Sequence, residues 1–266
     1  MESYFTDLSS NSAETAALSA VNWQPMVAAE PLCTSCRMHG LCLATGRTEK
    51  QAKQAGTASK IMVKRGEALY RAGEAFHAIH VVKSGCFKTC ALDDAGREQV
   101  TGFSMSGELL GLDGIDTQEH QLFAIAQEDS QVCSIPYADL NRRCAEVPAL
   151  LGKLLQLMSR EISRSQYMAM QLGTGRAEAR VGQFLLDLSR RFAARGYSAH
   201  EFHLRMTREE IGSYLGLKLE TVSRTLSRLD ELGLIAVHQR HVRIPDLARL
   251  AEITQAERAL ASGVVH

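Results

Sequence analysis

Two groups of residues in this chain have the types and spacing to do chemistry. In Cys33-Thr-Ser-Cys36-Arg-Met-His-Gly-Leu-Cys42, three thiols fall within ten residues. Thiolates select iron–sulfur clusters, zinc or cuprous ions, and a four-iron cluster normally needs four of them. The fourth ligand must therefore come from elsewhere. Zinc is a second reading, with His39 as the remaining ligand, although structural zinc sites usually show two short paired spacings and this chain has one. Thiols without a metal are a third. Among the other cysteines, Cys133 in QVCSIP is the one that a rigid strand can hold facing the N-terminal loop. Cys86, Cys90 and Cys144 read as small buried hydrophobes.

The second group lies in TREEIGSYLGLKLETVSRTLSRLDE, residues 207–231. Thr207 with Glu210 three residues on is a capping box, so a helix starts there, with Ile211, Tyr214 and Leu215 as its buried stripe. A turn falls at Gly216-Leu217-Lys218. Val222, Leu226 and Leu229 then return at helical spacing, which leaves Glu220, Ser223 and Arg224 on the outward face near the second helix's N-terminus. In a helix-turn-helix that end enters the major groove. Arg can bond bidentately to guanine, Glu accepts from cytosine N4, and Ser pairs with donors or acceptors. An i,i+4 ion pair between Glu220 and Arg224 on a solvated helix is the plainer alternative. Gly233 can close the second helix, and residues 234–237 and 242–244 read as a hairpin around a His-Gln-Arg-His tip. That tip can touch phosphate or be an ordinary polar turn.

The remaining elements must position these groups. A chain of 266 residues with 45% hydrophobic content has room for two cored domains. Its charge is uneven: residues 173–250 hold 13 Lys+Arg against 9 Asp+Glu, and residues 1–172 hold 16 against 19. The basic part suits a nucleic-acid partner. No apolar run reaches the roughly 18 residues that span a bilayer, and MESYFTDLSSNSAETAA lacks the pattern of a secretory signal, so a cytoplasmic protein without membrane contact is expected. In that compartment the seven cysteines are poor disulfide candidates. No nucleotide fingerprint, catalytic triad or substrate constellation argues for an enzyme.

Composition divides the chain into six parts. Residues 1–30 read as a flexible tail and 31–58 as the metal-binding segment. Glycine-punctuated short runs of Val, Ile, Phe and Tyr over 59–146 indicate an antiparallel roll. In 147–175, Leu151, Leu155, Met158, Ile162, Ser165, Ala169 and Leu172 recur at alternating steps of four and three, the seam of a coiled coil, with Gly173-Thr174-Gly175 as a hinge. The same spacing also serves one helix lying on its own domain. A winged helix-turn-helix follows at 176–250, then a C-terminal tail at 251–266.

Taken together these parts resemble the FNR branch of the CRP/FNR transcription regulators, from Leu32 to about Leu250. The stretches that carry the resemblance are the three-thiol segment, REQVTGFSMSGELLG at 97–111, LSRRFAARGYS at 188–198 and LRMTREEIGSYLGLKLETVSR at 204–224. The resemblance implies an α+β homodimer: a cyclic-nucleotide-binding-type β-roll (jelly roll), a long dimerisation helix and a C-terminal winged helix-turn-helix. It also implies an oxygen-labile [4Fe-4S] cluster on Cys33, Cys36, Cys42 and Cys133, and recruitment of RNA polymerase. Glu220, Ser223 and Arg224 match the FNR reading residues, whose sites on double-stranded DNA resemble TTGAT-N4-ATCAA. CRP-type proteins carry Arg just before that Glu, where this chain has Leu219. His120-Gln121 stands where CRP holds the cyclic phosphate with Arg-Ser, so no cAMP response is expected. Two residues depart from FNR: Ser165 replaces an acidic seam residue, and Arg37 follows the second cluster cysteine. A CRP-family regulator without a functional cluster is the alternative.

Overall fold

The computed structural model describes residues 59–93, 95–174 and 176–261. The expected tail at 1–30 and the segment with Cys33, Cys36, Arg37, His39 and Cys42 lie outside the described residues.

Eight short strands occupy the first part: β1 (Ser59–Val63), β2 (Ala68–Tyr70), β3 (Ala78–Ser84), β4 (Cys86–Leu92), β5 (Glu98–Met105), β6 (Leu109–Leu110), β7 (Phe123–Ala126) and β8 (Ser130–Pro136). They form two four-stranded antiparallel sheets, ordered β1-β8-β3-β6 and β2-β7-β4-β5. β3 reads AIHVVKS, a nearly continuous apolar run, because both of its faces are covered. Val82 turns toward the core between the sheets with Phe87, Leu110 and Val132. Ile79 and Val81, on the alternate face, meet Ile135 and the helices that follow.

Those helices are α1 (Tyr137–Glu146) and the 27-residue α2 (Pro148–Thr174). Pro148 opens α2 at a position whose N–H would have no helical partner, so the missing donor costs nothing there. Leu140, Cys144, Leu150 and Leu154 seal the outer face of β3 and β8. α2 continues through Thr174, so the expected hinge is helical as far as that residue.

The C-terminal part contains α3 (Ala177–Ala193), β9 (Glu201–His203), α4 (Arg208–Leu215), α5 (Leu219–Glu231), β10 (Ala236–His238), β11 (His241–Arg243) and α6 (Leu247–Ala261). The expected hairpin is β10–β11, with its strands shifted so that His238 and His241 of the expected tip pair and only Gln239-Arg240 turn; β9 adds a third strand, unforeseen in the sequence, against β11. Residues 251–266, expected as a tail, are instead helical as far as Ala261. Asp246 caps this helix by accepting from the Ala248 and Arg249 N–H groups at 2.9 and 3.0 Å. Leu250 and Thr254 are buried against α3. The two helices approach closely at Gly182, where a Cβ would lie 2.2 Å from the Thr254 methyl. No described helix is long and apolar enough to cross a membrane.

One hydrophobic core joins the roll to the C-terminal part. Cys86, Val100, Phe103 and Met105 from β4 and β5 pack with Phe184, Leu188, Ile211 and Leu215. Phe103, Phe184 and Tyr214 form a ring triangle with centroids 5.3 to 6.3 Å apart. Such contacts add to plain area burial.

Candidate functional site

The two helices of the reading motif form for local reasons. Thr207 Oγ1 accepts from the Glu210 N–H at 3.1 Å, and the Thr207 N–H donates to Glu210 Oε2 at 2.8 Å, completing the capping box. α4 ends at Gly216, whose φ of 62° lies in the left-handed region that suits glycine, and the Leu217 N–H donates back to the Gly212 carbonyl at 2.8 Å. α5 then starts at Leu219. Val222, Leu226 and Leu229 are buried under it, while Glu220 and Arg224 are exposed and Ser223 is half-buried beside them. Among the described residues no ion pair links Glu220 to Arg224; the helix makes its pair later, Arg228 to Glu231 at 3.6 Å. The plainer alternative for the two side chains therefore loses its support.

Beside this helix the β10–β11 hairpin turns through Gln239 and Arg240, with Gln239 at a φ of 55°. Arg208 Nη2 donates to the Gln239 carbonyl at 2.8 Å, fastening the hairpin to α4. Burial and the neighbouring Arg240 charge lower the pKa of the Arg208 guanidinium, and its Nη1 is buried without a partner. An anion at the hairpin would relieve both.

The roll grips the reading motif directly. Lys88 on β4 bridges Glu98 at 2.6 Å and Glu210 at 3.2 Å. The Val100 N–H donates to Ser213 Oγ at 2.8 Å, and Gln99 donates to the Ser213 carbonyl.

A second clamp centres on Glu108, between β5 and β6. Its carboxylate meets Arg191 at 2.6 Å, Arg195 at 2.5 Å and Arg164 at 3.8 Å, uniting the roll with α3 and α2. Burial alone would push this carboxyl up, but the Arg191 and Arg164 charges, the Arg191 hydrogen bond and Arg195 outweigh it and hold the pKa down to about 2. A depressed carboxyl contributes stability above its unfolded value near 4.5 and loses it as pH falls toward 2. Wild type is therefore expected to lose on the order of 3 kcal/mol between those pH values from this group. Glu108→Gln should be destabilised at pH 7 and show a flatter acid limb in denaturant titrations. Parallel limbs for the two proteins would show that the clamp carries no such linkage. Neither clamp was foreseen; each joins charges far apart in the chain.

Cys133 lies on β8, opposite Lys60 of β1 and Val81 of β3. It is half-buried and packs against the apolar cluster that includes Leu150 and Leu154 of α2. Burial pushes the thiols of Cys86 and Cys90 up to about 12 and about 11, and raises that of Cys144. Cys133 is the one of the four described cysteines that is not fully buried. β1 begins 17 residues after Cys42, and its second residue is the partner of Cys133. A segment of that length reaches as far as roughly 56 Å, so the three N-terminal thiols can return to β8. The donor set fits a thiolate-held cluster.

On α2, Leu150 and Leu154 face the roll at 3% and 8% exposure, whereas Leu151, Leu155, Ile162 and Leu172 stand 39 to 55% exposed. Ser165 and Ala169 are exposed with them. Met158 is half-buried and touches the cluster that holds Cys133. Inside the roll, His120 is 4% exposed and stacks on Tyr70 with centroids 3.7 Å apart. Asp113, 3.5 Å from His120, accepts from the Gln121 and Leu122 N–H groups.

Known proteins share this arrangement. Residues 60–146 match the cyclic nucleotide-binding domain and residues 179–253 the Crp-like helix-turn-helix domain. The chain is 43% identical to the transcriptional regulatory protein btr of Bordetella pertussis over 85% of this chain and 94% of that one. It is 37% identical to the fumarate and nitrate reduction regulatory protein of Escherichia coli, over 86% and 92%. The structure of FixK2 from Bradyrhizobium japonicum superimposes with a TM-score of 0.68 at 29% identity, covering 73% of this chain and 96% of that one. With a helix-turn-helix presented as a regulator presents it, and relatives of this kind along most of its length, the chain is no enzyme but a DNA-binding transcription regulator, and it belongs to the FNR-type branch of the CRP/FNR family.

Proposed function

We propose that this protein is an oxygen-responsive regulator that binds a palindromic, TTGAT-N4-ATCAA-like site as a homodimer while a [4Fe-4S] cluster is intact, and so controls anaerobic gene expression. The observation that carries the DNA half is the exposed Glu220–Arg224 face of α5, whose two charges are not spent on each other. Glu220, Ser223 and Arg224 read base edges, and the α5 N-terminus and the β10–β11 hairpin hold phosphates. Two protomers joined along Leu151, Leu155, Met158, Ile162, Ser165, Ala169 and Leu172 set two α5 helices about 34 to 36 Å apart, one turn of duplex. The exposed apolar stripe of α2 supports that pairing.

Cys33, Cys36, Cys42 and Cys133 would hold the cluster, which supplies an oxygen-labile bond between the N-terminal segment and β8. Cys133 and Met158 share one apolar cluster, so a change at the thiol bears on the pairing helix. Oxygen then shifts the population away from the paired state. With neutral Ser165 in the seam, less repulsion opposes the cluster-free dimer. His120-Gln121 in the place of the phosphate-holding Arg-Ser, with the Asp113 carboxylate 3.5 Å from His120, supports a roll that does not respond to cAMP. Bound protein recruits RNA polymerase in the cytoplasm as an activator. The domain partition follows: roll at 59–146, pairing helix at 147–175, reading domain at 176–250.

Arg224→Ala tests the base-reading assignment. It should cost about 1 to 3 kcal/mol, roughly five- to 150-fold in affinity, at the matched site and relax preference at one base pair. Gel-shift titrations against single-base variants of the duplex measure this. An equal loss on every sequence would make Arg224 a phosphate contact and withdraw the assignment.

A further inference from the structure

Where the β5–β6 turn meets α2 and α3, the surface opens into a cleft of about 470 Å³. Six cations line it, Lys153, Arg160, Arg164, Arg190, Arg191 and Arg195, against two carboxylates, Glu108 and Glu161. Arg191 and Arg195 are committed to Glu108, and Arg164 pairs with Glu161 at 2.5 Å. The rest of the positive charge is uncommitted. Among the described residues no carboxylate pairs with Lys153 or Arg160 on α2, and Arg190 on α3 has Asp187 only at 3.8 Å. Leu109, Leu112, Leu157 and Ala194 supply an apolar wall.

An anionic occupant would suit such a combination. Like charges gathered around one cleft repel, and an anion between them turns that repulsion into attraction. The volume falls in the range of small-molecule sites, about 300 to 1,000 Å³. The apolar wall beside the cations suits a ligand with a flat, uncharged part and a strongly anionic part. A phosphate diester strand is a poorer match, because no residue of α5 or of the β10–β11 hairpin lines the cavity.

We propose that this cleft binds a nucleoside polyphosphate, with Lys153, Arg160 and Arg190 holding the phosphates and the Leu109–Leu157 wall holding the base. Lys153, Leu157, Arg160 and Arg164 follow the same four-three-four spacing as the seam but are displaced by two residues, about 200° around the helix at 3.6 residues per turn. Pairing through Leu155 and Ile162 thus leaves the cleft open. A ligand there touches the roll, the pairing helix and α3 at once, so its binding favours the arrangement of the three that forms the site. This site is distinct from the interior of the roll and does not depend on the cluster.

The test is calorimetric titration of the full-length protein with ADP, inorganic pyrophosphate and adenosine. ADP should bind with a dissociation constant below about 0.1 mM, pyrophosphate at least about fivefold more weakly, and adenosine not measurably. Lys153→Ala with Arg160→Ala should weaken ADP at least about tenfold while the melting temperature without ligand is unchanged, since neither side chain has an ion-pair partner to lose. Arg224→Ala should bind ADP as wild type does. No heat with ADP at millimolar concentration, an unaltered affinity in the double variant, equal binding of pyrophosphate and ADP, or loss of ADP in Arg224→Ala would each overturn the proposal.

Discussion

Leu155→Glu combined with Ile162→Glu should yield a folded monomer whose affinity for the palindromic site is at least about a hundredfold lower than that of wild type. Both side chains are more than half exposed in the protomer, at 55% and 54%, so their replacement removes little packing within it. The protomer's own contacts come from Leu150 and Leu154, on a neighbouring face of α2. In a pair of α2 helices the four replaced side chains would each bury what remains exposed. That contributes on the order of 3 to 6 kcal/mol. The substitution removes this term and puts like charges across the seam. Sedimentation velocity and gel shifts on the palindromic duplex read the two effects. A variant that still sediments as a dimer would relocate the interface and reduce the 3.5-residue period of α2 to packing within one chain.

Cys133→Ala should strip the anaerobically purified protein of iron and sulfide and, with them, of most of its anoxic operator binding. The strand itself should tolerate the change, because Cys133 is half-buried and its backbone bonds to β1 and β3 do not involve the thiol. Cys144→Ala is the control. Its side chain is buried with Leu150 and Leu154, so the variant should keep the iron and cost only the cavity left in the core. Absorption spectra with iron and sulfide analysis under nitrogen distinguish the two variants. Equal iron in Cys133→Ala and wild type would remove Cys133 from the ligand set. A wild-type protein without iron or sulfide that still binds the operator would leave a family member of the redox-insensitive kind.

The features legible in the sequence are those whose causes lie within about one helical turn. The Thr207–Glu210 capping box, the Gly216 turn and the buried spacing of Val222, Leu226 and Leu229 involve residues three or four apart, so sequence alone placed the reading helix and its outward face. The spacing that puts Leu151, Leu155, Ile162 and Leu172 of α2 on one exposed face was legible for the same reason, whereas Met158 of that expected seam is half-buried against the protomer's own cluster. The short strands of the roll announced themselves through their glycine-bounded apolar runs, and the hairpin through its polar tip, although His238 and His241 of that tip belong to the paired strands.

Tertiary structure alone decided the rest. Glu108 meets Arg191 and Arg195 more than 80 residues away, and Val100 meets Ser213 across 113. No periodicity encodes which of 30 basic residues a buried carboxylate will find. α6 read as a tail because its fit against α3 depends on a missing side chain at Gly182, on a different helix. β9 likewise exists only because β11 offers it an edge. Local hydrogen bonds and periodicity specify elements, whereas the clamps and the cationic cleft arise from charges that become neighbours only after the chain has packed.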